Sequence, residues 1–310
     1  MSTKPRRRRR SYGTPHERAE RVADAVMAAW WSSSSGGHMS IPIGTVAALA
    51  LVRGGAFTPI EAPGPPLDPG DTICAQSPEQ FRTFLVCAWG QYWLQRPDLV
   101  EAASIFRNWT RDADAQAMAA AHRVAVAAVE AGLMELVATD YLRHDVDLFA
   151  PLIEPMRSRG DKARRGEFYT PPGVAHVVGE LRLGTVPAPG ERILDPTSGS
   201  GGMFGRYAQS LRERGLDPAQ YSWWANDIDP TAAAACAVNF ILWDLGPATV
   251  VAQCDVLADP AGLDRAAAEA AAWRRHRDKV VDDLAFASAT VDAVRDVERL
   301  IANLAGRGRT

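Results

Sequence analysis

A short apolar run that ends in an acid and leads into a glycine-rich turn is the stretch of this sequence most suited to chemistry. Arg192 to Asp195 has the length and character of a buried parallel strand, and Pro196 cannot continue a sheet ladder. The segment from Gly199 to Gly202 holds three glycines and allows a sharp turn before Met203 to Arg214, which has a helical pattern. Open α/β sheets bind ligands at such strand-to-helix junctions. An ordinary tight turn would have the same sequence.

Two more apolar runs end in acids downstream of this turn. Trp223 to Asp227 is followed by Ile228-Asp229-Pro230, and Val250 to Asp255 is followed by Val256 and Leu257. Parallel strands deliver their carboxyl ends to one sheet edge, where a carboxylate can hold both hydroxyls of a ribose. The pattern therefore favours an adenosine-bearing ligand. The alternative for both acids is that each caps a following helix.

An element upstream of the turn, Gly-Glu-Phe-Tyr-Thr-Pro-Pro at 166–172, makes the pattern more specific. Together with Asp-Pro-Thr-Ser-Gly-Ser-Gly-Gly-Met-Phe at 195–204, in this order and spacing, it resembles the adenine-N6 DNA methyltransferases of the γ order. The resemblance is closest to the modification subunit of type I restriction systems, and it covers about residues 140–258. It implies a class I methyltransferase domain that binds S-adenosylmethionine.

The resemblance also implies a role for each matching position. Phe168 to Pro171 would border the methionine end of the cofactor, and Asp195 with the turn from Thr197 to Gly201 would approach its amino acid and sulfonium. Asp227 would hold the ribose, and Asp255 would accept from the adenine amino group. The full set of cofactor-binding residues implied in this way is Glu167, Phe168, Tyr169, Thr170, Pro171, Asp195, Thr197, Ser198, Gly199, Gly201, Asp227, Asp255 and Val256.

The family's catalytic element, Asn/Asp/Ser-Pro-Pro followed by an aromatic residue, is not found in this sequence. That element accepts hydrogen bonds from the target amino group and stacks on the flipped base. Gly64-Pro65-Pro66-Leu67 lacks both the polar and the aromatic residue, Thr170-Pro171-Pro172-Gly173 belongs to the cofactor element, and Asp259-Pro260 lacks a second proline. We therefore assign no catalytic residue and no metal ligand.

Three interpretations of function stay open. The first is an enzyme that methylates DNA with a partner chain supplying the missing catalytic or specificity elements. The second is a non-catalytic S-adenosylmethionine-binding protein that serves in assembly or as a sensor. The third is a nucleotide-binding module for another ligand. Labelled-cofactor transfer to DNA separates the first two, and calorimetry with several nucleotides separates the third.

Charge is distributed unevenly along the 310 residues. The net charge is −3, but Lys4 and Arg6 to Arg10 supply six positive charges, so the remaining chain carries −9. Residues 1–13 are predicted to be a disordered basic arm that contacts DNA phosphates without reading sequence. A solubilising tail or a localisation signal would look the same.

Cysteine usage and hydropathy indicate a cytoplasmic protein. Cys74, Cys87, Cys236 and Cys254 have no Cys-x-x-Cys spacing and lie in apolar runs, so we expect reduced core thiols. The most apolar stretch, Ile41 to Val52, is too short to cross a bilayer. We expect no membrane partner.

The predicted architecture is an α/β fold with a helical N-terminal domain, a partial Rossmann-like methyltransferase domain and a long C-terminal helix. The predicted bounds are 1–13 for the basic arm, 14–150 for the helical domain, 151–260 for the S-adenosylmethionine-binding domain and 261–310 for the C-terminal helical segment. In the family the strand ending at Asp195 lies mid-sheet, so here it would be an open edge. The helix from Val280 to Leu304, a partner chain or a homo-oligomer would cover it.

Overall fold

Residues 13–33, 38–52, 68–156 and 187–307 are described by the computed structural model of this chain. The predicted cofactor element from Glu167 to Pro171 and residues 1–12 of the basic arm lie outside these ranges. Their predicted roles therefore stay predictions.

Helices make up the described part of the N-terminal half. Their bounds are α1 Pro15–Ser33, α2 Ser40–Leu51, α3 Pro69–Cys74, α4 Pro78–Gln95, α5 Pro97–Ala102, α6 Ile105–Asp112, α7 Ala115–Ala131, α8 Leu133–Ala138, α9 Asp140–His144 and α10 Ala150–Met156. The predicted helical character of this region is confirmed.

Local capping signals explain where several of these helices begin and end. Ser77 forms a capping box with Gln80, in which each side chain satisfies a backbone N–H of the other residue. Asp114 caps α7 by accepting from Ala117 N at 2.7 Å, and Gly132 ends it with φ of 103°. That left-handed conformation favours glycine, so the break in the alanine-rich run falls there.

Helix α2 forms the centre of the N-terminal packing. Its residues from Ile41 to Leu51 are all buried, and it contacts α4, α6, α7 and α8. A helix that is apolar on every side is suited to the middle of a core. Among the described helices, none combines the length and the apolar character that spanning a membrane requires.

A small parallel sheet follows. Its strands are β1 Arg192–Asp195, β2 Ser222–Asn226 and β3 Thr249–Ala252, in the order β1-β2-β3 with β2 in the middle. Helices α11 Gly202–Glu213 and α12 Pro230–Leu242 connect them. The three predicted strands are confirmed in place, although β2 and β3 end slightly earlier than predicted. Within the described residues β1 is an edge strand.

The described part of the protein is thus mostly helical with a three-stranded parallel sheet, in agreement with the α/β part of the predicted fold class. One continuous set of buried side chains runs from α1 through the sheet to Leu245, just beyond α12. It crosses the predicted domain boundary at residue 150, and the division into separate domains stays a prediction.

Helix α13, Gly262–Arg307, is longer than the predicted Val280 to Leu304 segment. Its 46 residues extend about 69 Å at the usual rise per residue. The helix packs against α5 and β3, on the side of the sheet opposite β1. From Val281 to Val291 every side chain is exposed. Of the alternatives for covering the β1 edge, the one in which this helix covers it is not supported by the main contacts of the helix, which are with α5 and β3.

The prediction that all four cysteines are core thiols is wrong in part. All four are free, but only Cys236 is buried, while Cys74 and Cys254 are half-buried and Cys87 is exposed. Cys87 lies on the outer face of α4 beside Val86, which is 56% exposed. An apolar run in sequence does not reveal which helix face meets solvent.

A buried carboxylate joins the helical part, the sheet and α13. The Asp98 side chain is 1% exposed, and its Oδ2 accepts from Arg96 Nη2 and Arg274 Nη1, each at 2.9 Å. Arg96 also donates to Gly246 O at 2.9 Å and to Thr249 Oγ1 at the start of β3. Three distant segments therefore depend on one acid.

We expect Asp98→Ala to lower the free energy of unfolding by about 3 kcal/mol, because it leaves two guanidinium groups without their buried partner. Urea unfolding followed by circular dichroism measures the change. Asp278→Ala is the matched control, since Asp278 pairs with Arg277 while 62% exposed and should cost less than about 1 kcal/mol. Equal effects of the two substitutions would contradict this account of the junction.

Candidate ligand site at the strand ends

A single buried amide ties together the carboxyl ends of all three strands. Asn226, at the end of β2, donates from Nδ2 to Pro196 O and to Cys254 O, both at 3.0 Å. Its Oδ1 accepts from Cys254 N at 3.1 Å. Because Asn226 is 1% exposed, these bonds are shielded from water and fix the three strand ends as one edge.

The glycine turn is fastened to the end of β2. Ser198 N donates to Asn226 O at 2.8 Å, and Gly199 N donates to Asp227 Oδ2 at 2.8 Å. Gly199 has φ of 57° and Gly201 has φ of 92°. A Cβ at Gly201 would lie 2.9 Å from the Sγ atom of Cys236. The turn predicted between a strand and a helix is therefore confirmed, and α11 begins at Gly202.

Asp227 serves this turn and does not cap the following helix. Its Oδ2 takes the Gly199 amide, and its Oδ1 accepts from Asp229 N at 2.9 Å. The N-cap of α12 is Asp229, which accepts from Thr231 N and Ala232 N. The capping interpretation of Asp227 is wrong, since the residue two positions later has that role.

One buried carboxylate oxygen of Asp195, at the end of β1, has no hydrogen-bond partner among the described residues. Its Oδ1 accepts from Thr197 N at 3.0 Å, whereas its buried Oδ2 accepts no hydrogen bond from the described residues. Burial raises the pKa of Asp195, hydrogen bonds from the Thr197 backbone and hydroxyl oppose that rise, and the negative charge of Asp227 adds to it. A buried acceptor without a donor is costly, so this atom is well suited to a ligand that donates.

The acid that follows β3 lies at the surface. Asp255 is exposed, and its Oδ1 accepts from Leu257 N at 3.0 Å and from Ala258 N at 3.3 Å. It therefore forms a local turn, and α13 begins seven residues later at Gly262. Val256 is half-buried beside it.

Two exposed apolar side chains follow β2 and β3. Ile228 is 53% exposed and Leu257 is 92% exposed. Gln253 Nε2 donates to Ile228 O at 3.0 Å, which connects the segments that follow the two strands. Exposed aliphatic groups beside carboxylates suit the faces of a planar heterocycle.

Most of the described candidate residues are brought together. Backbone and side-chain hydrogen bonds join Asp195 to Thr197, Ser198 to Asn226 and Gly199 to Asp227, and Cys254 connects the same edge to Asp255. The Ser198 hydroxyl donates to Asn226 O at 3.2 Å and is buried, so it serves the turn itself. No group of three His, Cys, Asp or Glu side chains suited to a metal ion occurs in the ranges described above.

Sequence reasoning missed Asn226 and Ile228. Asn226 follows Trp223-Trp224-Ala225, and a polar residue at the end of such an apolar strand is the signal that would have found it. Ile228 lies between Asp227 and Asp229, and its position just after a strand end was the one feature of the sequence that could have pointed to it.

A glycine turn and acids at the carboxyl ends of parallel strands form the kind of edge at which open α/β sheets bind ligands. A family model described as N-6 DNA Methylase matches residues 152–300, slightly less than half of the chain. The match includes the turn, Asp227 and Asp255, and the predicted resemblance to the N6-adenine DNA methyltransferase family is confirmed.

One solved structure similar to this chain is the methyltransferase subunit of the type I restriction-modification system from Streptococcus thermophilus. The two chains are 16% identical with a TM-score of 0.44, and the match covers 79% of this chain and 59% of the other. The chain thus spans about three-fifths of that subunit. A search of the curated proteins finds no match.

We expect Asp195→Asn to stabilise the protein near neutral pH. The folded-state pKa of Asp195 is raised, chiefly by burial. The stability that the protonated side chain contributes is therefore fully present below the unfolded-state pKa, about 3.9, and is lost as pH rises through the folded-state pKa. The amide keeps the bond from Thr197 without burying a charge.

Calorimetric melting from about pH 3.5 to 8 measures this effect. The Asp195→Asn variant should match the wild-type melting temperature at the acidic end and exceed it at the neutral end. Asp282→Asn, at an exposed position of α13, is the control and should show no such divergence. An Asp195→Asn variant that is less stable than wild type near neutral pH would contradict the assignment.

Proposed function

We propose that the strand-end edge binds S-adenosylmethionine and that the protein takes part in adenine-N6 methylation of DNA. The observation that carries the proposal is the joined edge itself, in which Asn226 holds three strand ends and Asp227 holds the glycine turn. The matched family model supports the DNA methylation class.

The described residues fit the amino acid end of this cofactor. Asp195 Oδ2 is buried and accepts no bond from the described residues, so the ammonium group of the cofactor would supply the missing donor. The first backbone N–H groups of α11, just past the turn, favour a nearby carboxylate through the helix dipole. Glu167 to Pro171 would border the same end.

The fit extends to the ribose. Each carboxylate oxygen has two lone pairs, and Asp227 uses one on each for the amides of Gly199 and Asp229. The remaining lone pairs are sufficient for the two ribose hydroxyls. Asp227 would therefore hold the glycine turn and the ribose in a fixed relative position.

The adenine would lie between the apolar side chains near Asp255. Ile228 and Leu257 offer exposed aliphatic surface, and Val256 would lie beside the ring. Asp255 Oδ1 is engaged by its own turn, which leaves Oδ2 to accept from the adenine amino group. When bound, the cofactor would supply a methyl group activated by its sulfonium.

Isothermal titration with S-adenosylmethionine and with its demethylated product tests this proposal. Asp227→Ala should weaken binding by about 1.5–3 kcal/mol, the range for hydrogen bonds to a charged group. Asp255→Asn should weaken it as well, because the new NH₂ faces the adenine amino donor while Oδ1 keeps its turn. Asp282→Asn is the control. No heat and no thermal shift with either ligand at about millimolar concentration, the floor of useful affinity, would refute the proposal.

The partners proposed with this function follow from what these 310 residues do not contain. The sequence has no Asn/Asp/Ser-Pro-Pro-aromatic element, so the groups that hold a flipped base would come from a second chain or a further segment. The same proposal includes a catalytic or specificity subunit as partner, weak DNA contact through the basic arm and self-association at the β1 edge. It also includes a Rossmann-like fold of the cofactor-binding domain, the predicted domain bounds and a cytoplasmic location.

The second candidate function is a non-catalytic S-adenosylmethionine-binding protein that serves in assembly or sensing. The observation that favours it is again the missing catalytic element. It shares the cofactor site with the first candidate and differs in whether the methyl group is ever transferred.

We expect the isolated chain to transfer no methyl group to adenine in DNA, because nothing in its sequence matches the element that orients the target amino group against the sulfonium. Incubation with tritiated cofactor and mixed-sequence DNA measures transfer. A known adenine-N6 methyltransferase on the same DNA is the positive control. Label at N6 of adenine from the pure chain would contradict this expectation.

A further inference from the structure

Three consecutive residues before α10 each contact the elements that carry the site. Asp145 accepts from Arg206 Nη1 on α11 at 2.7 Å, and Val146 O accepts from Trp243 Nε1, just after α12, at 2.9 Å. Asp147 Oδ2 accepts from the hydroxyl of Ser200, inside the glycine turn, at 2.5 Å. This segment, residues 145–147, precedes the region that the family model matches.

Asp147 is surrounded by donors. Its Oδ1 accepts from Phe149 N at 3.0 Å, Ala150 N at 3.1 Å and Asn239 Nδ2 at 2.9 Å, while Oδ2 takes Ser200. A carboxylate is the side chain that accepts at every such position. Burial raises the pKa of Asp147, and the bonds from Ser200, Asn239 and the two amides oppose that rise.

Ser200 lies between two glycines that place little conformational restraint on the turn. Gly199 and Gly201 have positive φ, a region that glycine enters freely but does not prefer. Ser200 is 2% exposed, its carbonyl accepts from Asn239 Nδ2 at 2.9 Å, and its hydroxyl donates to Asp147. These two bonds hold the middle of the turn, and Asp147 accepts from both Ser200 and Asn239.

We infer that Asp147 is a positioning residue, which fixes the middle of the glycine turn from the N-terminal helical part and thereby sets the affinity of the strand-end edge for its ligand. Asp147 touches no proposed ligand group, so it acts through Ser200. The effect on ligand affinity rests on the proposed function, whereas the effect on the turn does not.

Four variants of the full chain separate positioning from simple loss of packing. Asp147→Ala removes all four bonds, and Ser200→Ala removes only the bond that joins Asp147 to the turn. Asp147→Asn keeps the Oδ1 contacts, and its new NH₂ can donate to the Ser200 hydroxyl, which rotates to accept. Asp145→Ala is the matched control, because it frees the same segment from Arg206 without touching the turn.

Two measurements are made on each variant: the dissociation constant of S-adenosylmethionine, and hydrogen exchange of the amides of Ser198, Gly199 and Gly201 without ligand. Asp147→Ala and Ser200→Ala should each weaken binding about tenfold or more and lose protection at these three amides. Asp147→Asn and Asp145→Ala should stay within about twofold of wild type in affinity and keep that protection.

The outcomes distinguish this inference from the proposed function. If the wild-type chain binds no S-adenosylmethionine but Ser200→Ala loses turn protection, the proposed cofactor is wrong and the positioning role of Asp147 stands. Unchanged protection of the turn amides in Ser200→Ala, or in an Asp147→Ala protein whose circular dichroism shows that it is folded, would overturn the inference.

Discussion

The bonds made by the Asn226 amide are the interaction on which the rest of the strand-end edge depends. Three short strands of four or five residues carry few ladder bonds, and parallel pairing is slightly less stable per residue than antiparallel pairing. Asn226 joins the segments after β1 and β3 to β2, and the backbone of Asn226 and the side chain of Asp227 hold the turn. Because these bonds are buried, losing one would leave polar atoms unpaired in a low dielectric.

The helical half is part of this arrangement. Asp98 holds Arg96 and Arg274 and so connects α5, β3 and α13, while residues 145–147 reach α11, α12 and the turn. The core is continuous across both halves. The N-terminal helices would therefore help to hold the ligand-binding edge rigid. Sites held by packed helices and strands are more precise than sites on free loops.

Local signals in the sequence predicted local structure well. Pro196 ended β1 as expected, and the glycines formed the turn between β1 and α11. Long-range bonds were not predictable, because nothing near Asp147 or Asn226 in sequence reveals the hydrogen-bond partners some 30 to 90 residues away. The prediction that Cys87 is a core thiol was wrong, and the packing of α13 on β3 was not predicted, for the same reason: each depends on which neighbour a helix face meets. The roles of Glu167 to Pro171 stay predictions.

A crystal structure of the full chain with S-adenosylhomocysteine, the demethylated product, tests the central claim most directly. The account predicts the adenine beside Asp255 and Val256, the ribose hydroxyls on Asp227 and the amino group within hydrogen-bond distance of Asp195 Oδ2. Ligand density at another surface, or in the reverse orientation along this edge, would contradict it.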